Sequence, residues 1–129
     1  MPTLYLIRGL PGSGKSTFAR SFSNALRYVY EADDYFVTDG VYQFDASKLG
    51  EAHSWCQQRA RNDLESGMDC IVSNTSTTER EVQTYAKIAE ECGAKFVSII
   101  VETRHGGTNI HNVPEEKVQQ MRNRFSVKL

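Results

Sequence analysis

The sequence predicts an α/β domain built on a parallel sheet covered on both faces, and three observations predict it. Four β-favouring runs alternate with helical stripes along a chain of 129 residues. Strands separated in this way need crossover helices, which makes them parallel. The first run leads directly into a glycine-rich loop that opens a helix. Finally, 40% hydrophobic and 24% charged residues describe an ordinary globular chain and exclude a disordered or fibrous one.

Each element has its own signal. Thr3 to Arg8 is a short apolar run that stops at Gly9, the first strand. From Gly14 to Leu26, Phe18, Phe22, Ala25 and Leu26 repeat at helical spacing and predict an inward stripe. Arg27 to Ala32 returns to strand character, and Thr38 to Phe44 reads as a loop turning at Asp39-Gly40. Asp45 is placed to cap a long helix through Ser66, with Leu49, Ala52, Cys56, Ala60 and Leu64 inward and Gly67 as its stop. Met68 to Ser73 is the third strand. Thr78 and Glu81 form a capping box for a helix carrying Val82, Tyr85, Ala89 and Cys92 inward, ended by Gly93. Ala94 to Val101 is a continuous β-branched and apolar run, expected to be a fully buried fourth strand. Pro114, followed by Glu115 and Glu116, opens a last helix with Val118, Met121 and Phe125 inward. With no repeat or linker, one domain over residues 1–129 is expected.

Composition excludes several classes. No window approaches 18 consecutive apolar residues, so no membrane-spanning helix is expected. The first residues lack a basic region and do not read as a signal peptide. Cys56, Cys70 and Cys92 show no metal-type spacing, which suits reduced thiols and a cytoplasmic location. A net charge of −1 does not suit a broad grip on a polyanion. The charge is uneven, however: Glu31, Asp33, Asp34, Asp39, Asp45 and Glu51 face one base, Lys48, while Lys117, Arg122, Arg124 and Lys128 close the chain without an acid. A small phosphate-bearing ligand fits this pattern better than a long one.

Ligands of open parallel sheets lie beyond the C-terminal ends of the strands, here Gly9–Ser16, Asp33-Asp34, Ser73–Thr75 and Glu102–His105. Gly9-Leu10-Pro11-Gly12-Ser13-Gly14-Lys15-Ser16 satisfies G-x-x-x-x-G-K-[ST] between a predicted strand and a predicted helix. Its glycines let consecutive backbone N–H groups turn inward as an anion nest, which the positive end of the helix reinforces. In such a loop Lys15 reaches the β- and γ-phosphates and the Ser16 hydroxyl ligates Mg²⁺. The pattern arises by chance in roughly 1% or less of chains this long. Gly9, Pro11, Gly12, Ser13, Gly14, Lys15, Ser16 and Thr17 are therefore the expected ATP-binding residues, with ATP and Mg²⁺ as cofactors. At the end of the second strand, Asp33 is the candidate base that takes a hydroxyl proton, and a candidate metal contact beside Ser16. Asp34 is placed to cap or to touch the metal sphere, and Tyr35, Phe36 and Tyr42 can stack on an acceptor base.

Gly9–Thr17, Asp33-Asp34-Tyr35-Phe36, Tyr42-Gln43-Phe44-Asp45, Ala52-His53, Asn74-Thr75 and Asn109-Ile110-His111-Asn112-Val113-Pro114 together resemble minimal phage-type P-loop kinases of the polynucleotide 5′-hydroxyl kinase group. The resemblance implies a three-layer P-loop kinase core with strand order 2-3-1-4, a lid over residues 102–113, ATP·Mg²⁺ as donor and Asp33 as general base. The implied acceptor is a 5′-hydroxyl end or a hydroxymethylated base. Three departures stand out. Phe36 occupies a place where polynucleotide kinases often have an arginine for an acceptor phosphate. Ser73-Asn74-Thr75-Ser76 lacks the family's third-strand carboxylate. The lid is short, leaving Arg104, then Arg122 or Arg124, as the candidate transition-state arginine, with Gly106-Gly107 as a hinge. A small-metabolite or nucleoside kinase, and a nucleotide-binding regulatory module, remain alternatives. His53 reads as structural, His111 as a loop anchor.

Overall fold

The computed structural model describes residues 1–21, 23, 27–75, 78–102 and 115–124. In chain order these form β1 (Thr3–Arg8), α1 (Lys15–Ser21), β2 (Arg27–Tyr30), a 3-10 turn (Ala32–Phe36), β3 (Val37–Thr38), β4 (Val41–Tyr42), a second 3-10 turn (Ala46–Lys48), α2 (Leu49–Glu65), β5 (Asp69–Asn74), α3 (Glu79–Glu91), β6 (Lys95–Ile100) and α4 (Glu115–Arg124). Four strands make one parallel sheet in the order β2-β5-β1-β6, which is the expected 2-3-1-4 order. Register is continuous across it: Leu6 pairs with Val72 and with Ser98, and Tyr30 with Val72.

Alternation along the strands divides the core into two unequal layers. Leu4, Leu6, Cys70 and Val72 point to one face, where Cys56, Ala60 and Leu64 of α2 and Val82, Tyr85, Ile88 and Ala89 of α3 cover them. Ile7 and Ile71 point to the other and meet Ala19 of α1, with Tyr5, Val29, Ile99 and Val101 at the margin. The expected inward sides of α2 and α3 hold, except that Leu49 lies exposed at the start of α2 and Ile88 joins the α3 face. Thr78 caps α3 by accepting from the Glu81 N–H, whereas Asp45 accepts from the Ser47 N–H and caps the second 3-10 turn rather than the long helix, which starts at Leu49 with Lys48 at its N-cap.

Three expectations change. Phe18 is exposed and Ala19 is the buried residue of α1, because the helix lies close on Ile7 and Ile71 and only a methyl fits between them. Phe22, Ala25 and Leu26 lie outside the described residues. The fourth strand is not fully buried: β6 pairs only with β1 among the described residues, and as an edge strand it leaves Lys95, Val97 and Ser98 exposed. Thr38 to Phe44 is not all loop, since Val37–Thr38 and Val41–Tyr42 pair antiparallel around Asp39-Gly40. Both turn residues have positive φ, +52° and +78°, the pair required by a two-residue type I′ hairpin. Gly106-Gly107, His111, Pro114 and Phe125 lie outside the described residues, as do the lid beyond Glu102 and the Val118 side chain.

Candidate active site

The chain turns sharply as β1 ends. The Ser13 N–H donates to the Leu10 carbonyl at 3.0 Å and the Phe18 N–H to that of Gly14 at 2.9 Å. Gly12 and Gly14 sit at φ +82° and +89°, a region costly for any residue with a Cβ, and this curls the loop into an amide-lined cradle. Gly9 is required for closeness instead: a Cβ there would strike the Ser13 hydroxyl and come within 2.9 Å of the Val101 carbonyl. Gly9 and Ser13 are buried; Pro11, Gly12, Lys15 and Ser16 are half-buried, and Gly14 and Thr17 are exposed.

The strand end opposite supplies the charge. Burial pulls the Lys15 ammonium below the ordinary lysine range, and the fields of Glu31 and Asp33 oppose that pull. The Ser16 hydroxyl donates a short hydrogen bond to Glu31 Oε1. Glu31 is buried in an extended conformation that prolongs β2. Its contact with Ser16 was not foreseen; the signal was available in two carboxylates at alternate positions, Glu31 and Asp33, closing a strand beside a P-loop. Asp33 is half-buried, and its Oδ1 accepts from the Tyr42 hydroxyl at 3.3 Å. Burial, then Asp33, pushes the Tyr42 phenol upward.

Asn74 sets where this strand end lies. From the tip of β5 its Oδ1 accepts from the Ala32 N–H at 2.9 Å, and its Nδ2 donates toward Tyr85 Oη at 3.5 Å and Cys56 Sγ at 3.8 Å. All three partners of Asn74 lie within the buried core. Burial also pushes the Cys56 thiol up, so it stays a neutral packing group.

Two expected acceptor residues have other partners. The Asp34 carboxylate accepts from the Glu31 N–H at 3.2 Å and caps the 3-10 turn, the structural alternative already implicit in its position. Phe36 is buried on Ala32 and Ala52, since the turn directs it inward, and it supports an aromatic patch from beneath. Above it Phe44 lies at 5.1 Å between ring centroids, and Tyr35 packs on Trp55 at 6.0 Å while donating to Glu51 at 2.9 Å. Tyr35, Tyr42 and Phe44 are exposed. An open cleft of about 610 Å³ beside them is lined by Tyr35, Phe44, Asp45 and Lys48 among others. Arg104 lies outside the described residues, as does the Arg122 side chain; Arg124 is exposed on α4.

A family model described as an AAA domain matches residues 4–127. The chain belongs to this family. NEDD4-binding protein 2 of Homo sapiens is 37% identical to this chain over 128 residues, covering 92% of this chain and 7% of the human protein. The fold is that of P-loop kinases. A chain of the Pnkp1/Rnl/Hen1 RNA repair complex superposes with a TM-score of 0.65 at 21% identity, over 99% of this chain and 40% of the other. APS kinase of Mycobacterium tuberculosis gives 0.60 at 17% identity, over 95% of both chains. This AAA-domain chain thus spans a small part of its human relative and less than half of the repair-complex chain. No helix among its described residues is long and apolar enough to cross a membrane.

Proposed function

We propose that this protein transfers the γ-phosphate of ATP to a hydroxyl of a polynucleotide or nucleotide, a 5′-hydroxyl end or a hydroxymethylated base. The single observation that carries the reading is Asp33: a carboxylate on the strand end facing the P-loop, within the field of Lys15 and held by Tyr42. ATP suits the cradle, because glycines at positive φ, such as Gly12 and Gly14, allow successive backbone N–H groups to turn inward on a phosphate. Lys15 then neutralises charge on the β- and γ-phosphates. Asp33 accepts the acceptor's hydroxyl proton, the oxygen forms a bond to the γ-phosphorus, and the bond from phosphorus to the β,γ-bridging oxygen breaks, leaving ADP. Magnesium, when bound, supplies positive charge against the phosphate oxygens. Among the described residues no three His, Cys, Asp or Glu side chains gather, so Ser16 and a carboxylate would hold it together with phosphate and water oxygens. Arg104, in a lid over residues 102–113, is the arginine we assign to the transition state, and the single domain over residues 1–129 is part of the same reading. Tyr35 and Tyr42 offer faces for an acceptor base.

The test is ATP turnover with 5′-hydroxyl DNA and RNA, hydroxymethylated DNA and free nucleosides. Acceptor-dependent ADP release with phosphate found on one of the polynucleotides supports the reading; ATP binding without transfer to any acceptor overturns it. Buried Phe36, standing where an arginine would meet an acceptor phosphate, favours a second reading, a small-molecule hydroxyl acceptor. That reading expects transfer to a nucleoside or metabolite with weak, salt-insensitive DNA binding.

A further inference from the structure

P-loop enzymes commonly hold Mg²⁺ with the loop's Ser or Thr and a carboxylate on a neighbouring strand. On β5 the residue facing α1 at the strand's end is Ser73: it shares the face of Ile71, one step of alternation away. Its side chain is 2% exposed, and its hydroxyl has no hydrogen-bond partner among the described residues. An orphaned buried hydroxyl is costly and asks for a ligand or water. Glu31 lies on the same face. Val29 pairs with Ile71 and Tyr30 with Val72, so extended Glu31 stands level with Ser73. From there it reaches over to Ser16.

We propose that Glu31, on β2, is the carboxylate of the magnesium site, and that Ser73 on β5 leaves it the room. The charge has moved one strand outward. A carboxylate at Ser73 would stand beside Glu31 within one buried layer, and like charges that close do not both stay ionised. The hydrogen bond from Ser16 to Glu31 marks the place: the two oxygens that would share the ion, directly or through its water, already meet in its absence. Asp33 then serves the acceptor rather than the ion, and the orphaned Ser73 hydroxyl donates to a water of the metal's shell. The inference rests on the reading that the loop binds ATP with Mg²⁺.

The experiment measures ATP and ADP affinity by calorimetry, with and without Mg²⁺, and Mn²⁺ retention in the ADP complex by electron paramagnetic resonance. Glu31→Gln keeps a hydrogen-bond acceptor for Ser16 but not the charge. It is expected to bind metal-free ATP more tightly, since a carboxylate near the phosphates is gone. It should also lose about 10- to 100-fold of metal affinity in the nucleotide complex, the range found when groups supporting a metal site are removed. A residue of purely structural importance would shift both measurements the same way. Restoring the charge on the inner strand, in Glu31→Gln with Ser73→Asp, is expected to return the Mg²⁺ response. Unchanged Mn²⁺ retention in Glu31→Gln overturns the proposal, as does its loss in Asp33→Asn instead. Should Glu31→Gln fail to fold, Glu31→Asp decides: it keeps the charge but draws it back from Ser16 by one methylene, so metal-free ATP affinity is expected to hold while Mn²⁺ retention falls several-fold, and unchanged retention overturns the shared site. A native protein that binds no nucleotide at all overturns the kinase reading rather than this one.

Discussion

The two sides of the cleft are built by different means. In the proposed reading the donor side is backbone: Gly12 and Gly14 at positive φ, Gly9 pressed against Ser13 and Val101, and a loop that leaves the central strand β1. The acceptor side is side chain: a 3-10 turn, a six-residue hairpin over residues 37–42 and an exposed patch of Tyr35, Tyr42 and Phe44. Backbone geometry binds what all donors share, the polyphosphate. Side chains on an outer strand end can change without disturbing the sheet, so this is where one fold acquires different acceptors. Asp33, Glu31 and Asn74 join the two sides.

The sharpest way to separate them is Asp33→Asn. If Asp33 belongs to the acceptor chemistry alone, turnover falls by about 10²- to 10⁴-fold, the usual contribution of a general base. ATP affinity measured by calorimetry stays within about twofold, because the amide is isosteric and Lys15 keeps Glu31 beside it. A comparable loss of ATP affinity would place Asp33 with the donor.

Gly9→Ala breaks the donor side only. The added Cβ meets the Ser13 hydroxyl and the Val101 carbonyl, one of which is backbone and cannot swing aside. Overpacking of this kind costs about 1–3 kcal/mol, visible as a lower midpoint in urea. The displaced loop should lose nucleotide affinity, whereas spectroscopic signals from Trp55 and the aromatic patch should stay as they are.

This contrast also explains what could be read in advance. The cap at Thr78 and the cradle were legible because each depends on a few residues adjacent in sequence, and the parallel direction because strands alternate with helices; the strand order came only with the resemblance. Burial was harder, because it depends on what a neighbouring element leaves uncovered. Phe18 satisfied the helical period yet lies outside, since the gap over Ile7 and Ile71 takes only Ala19. The Ala94–Val101 run looked like a central strand, but edge position is a property of topology, not of the run itself. On the proposed site, Asp33 stands out in the sequence by its place after a strand. Glu31 was overlooked because its meaning lies in Ser16, fifteen residues earlier, and in the serine at Ser73. Asn74 is similar: its hydrogen bond to Ala32 spans 42 positions.

That bond gives the third prediction. Asn74→Ala leaves the Ala32 N–H buried without its acceptor, which costs about 1–3 kcal/mol by urea unfolding. The 3-10 turn that carries Asp33 is then held by one contact fewer, so turnover should fall more than ATP affinity does. Asn74→Asp keeps the acceptor and is expected to recover stability better than Asn74→Ala. Equal losses in turnover and affinity would mean that the donor side leans on Asn74 as well, and that the two sides are not built independently.

Tyr42→Phe is the finest probe of the acceptor side. The hydroxyl reaches Asp33 at 3.3 Å from an exposed position, so the bond is long and open to water. A contribution of about 0.5–1 kcal/mol is reasonable for such a bond, which is a two- to fivefold fall in kcat/KM with ATP affinity unchanged. The pH dependence distinguishes a hydrogen bond from mere packing. Burial and the Asp33 charge raise the Tyr42 phenol, so it keeps its proton through the ordinary tyrosine range. Its contribution is therefore fully present below a pH of about 10 and lost only above that, as the raised phenol ionises. The ratio of native to Tyr42→Phe activity should stay flat from neutral pH into the alkaline range and approach one only beyond it. A ratio that already falls near neutral pH would show that Tyr42 acts on the acceptor through its ring, and that the hairpin rather than the strand end selects the acceptor.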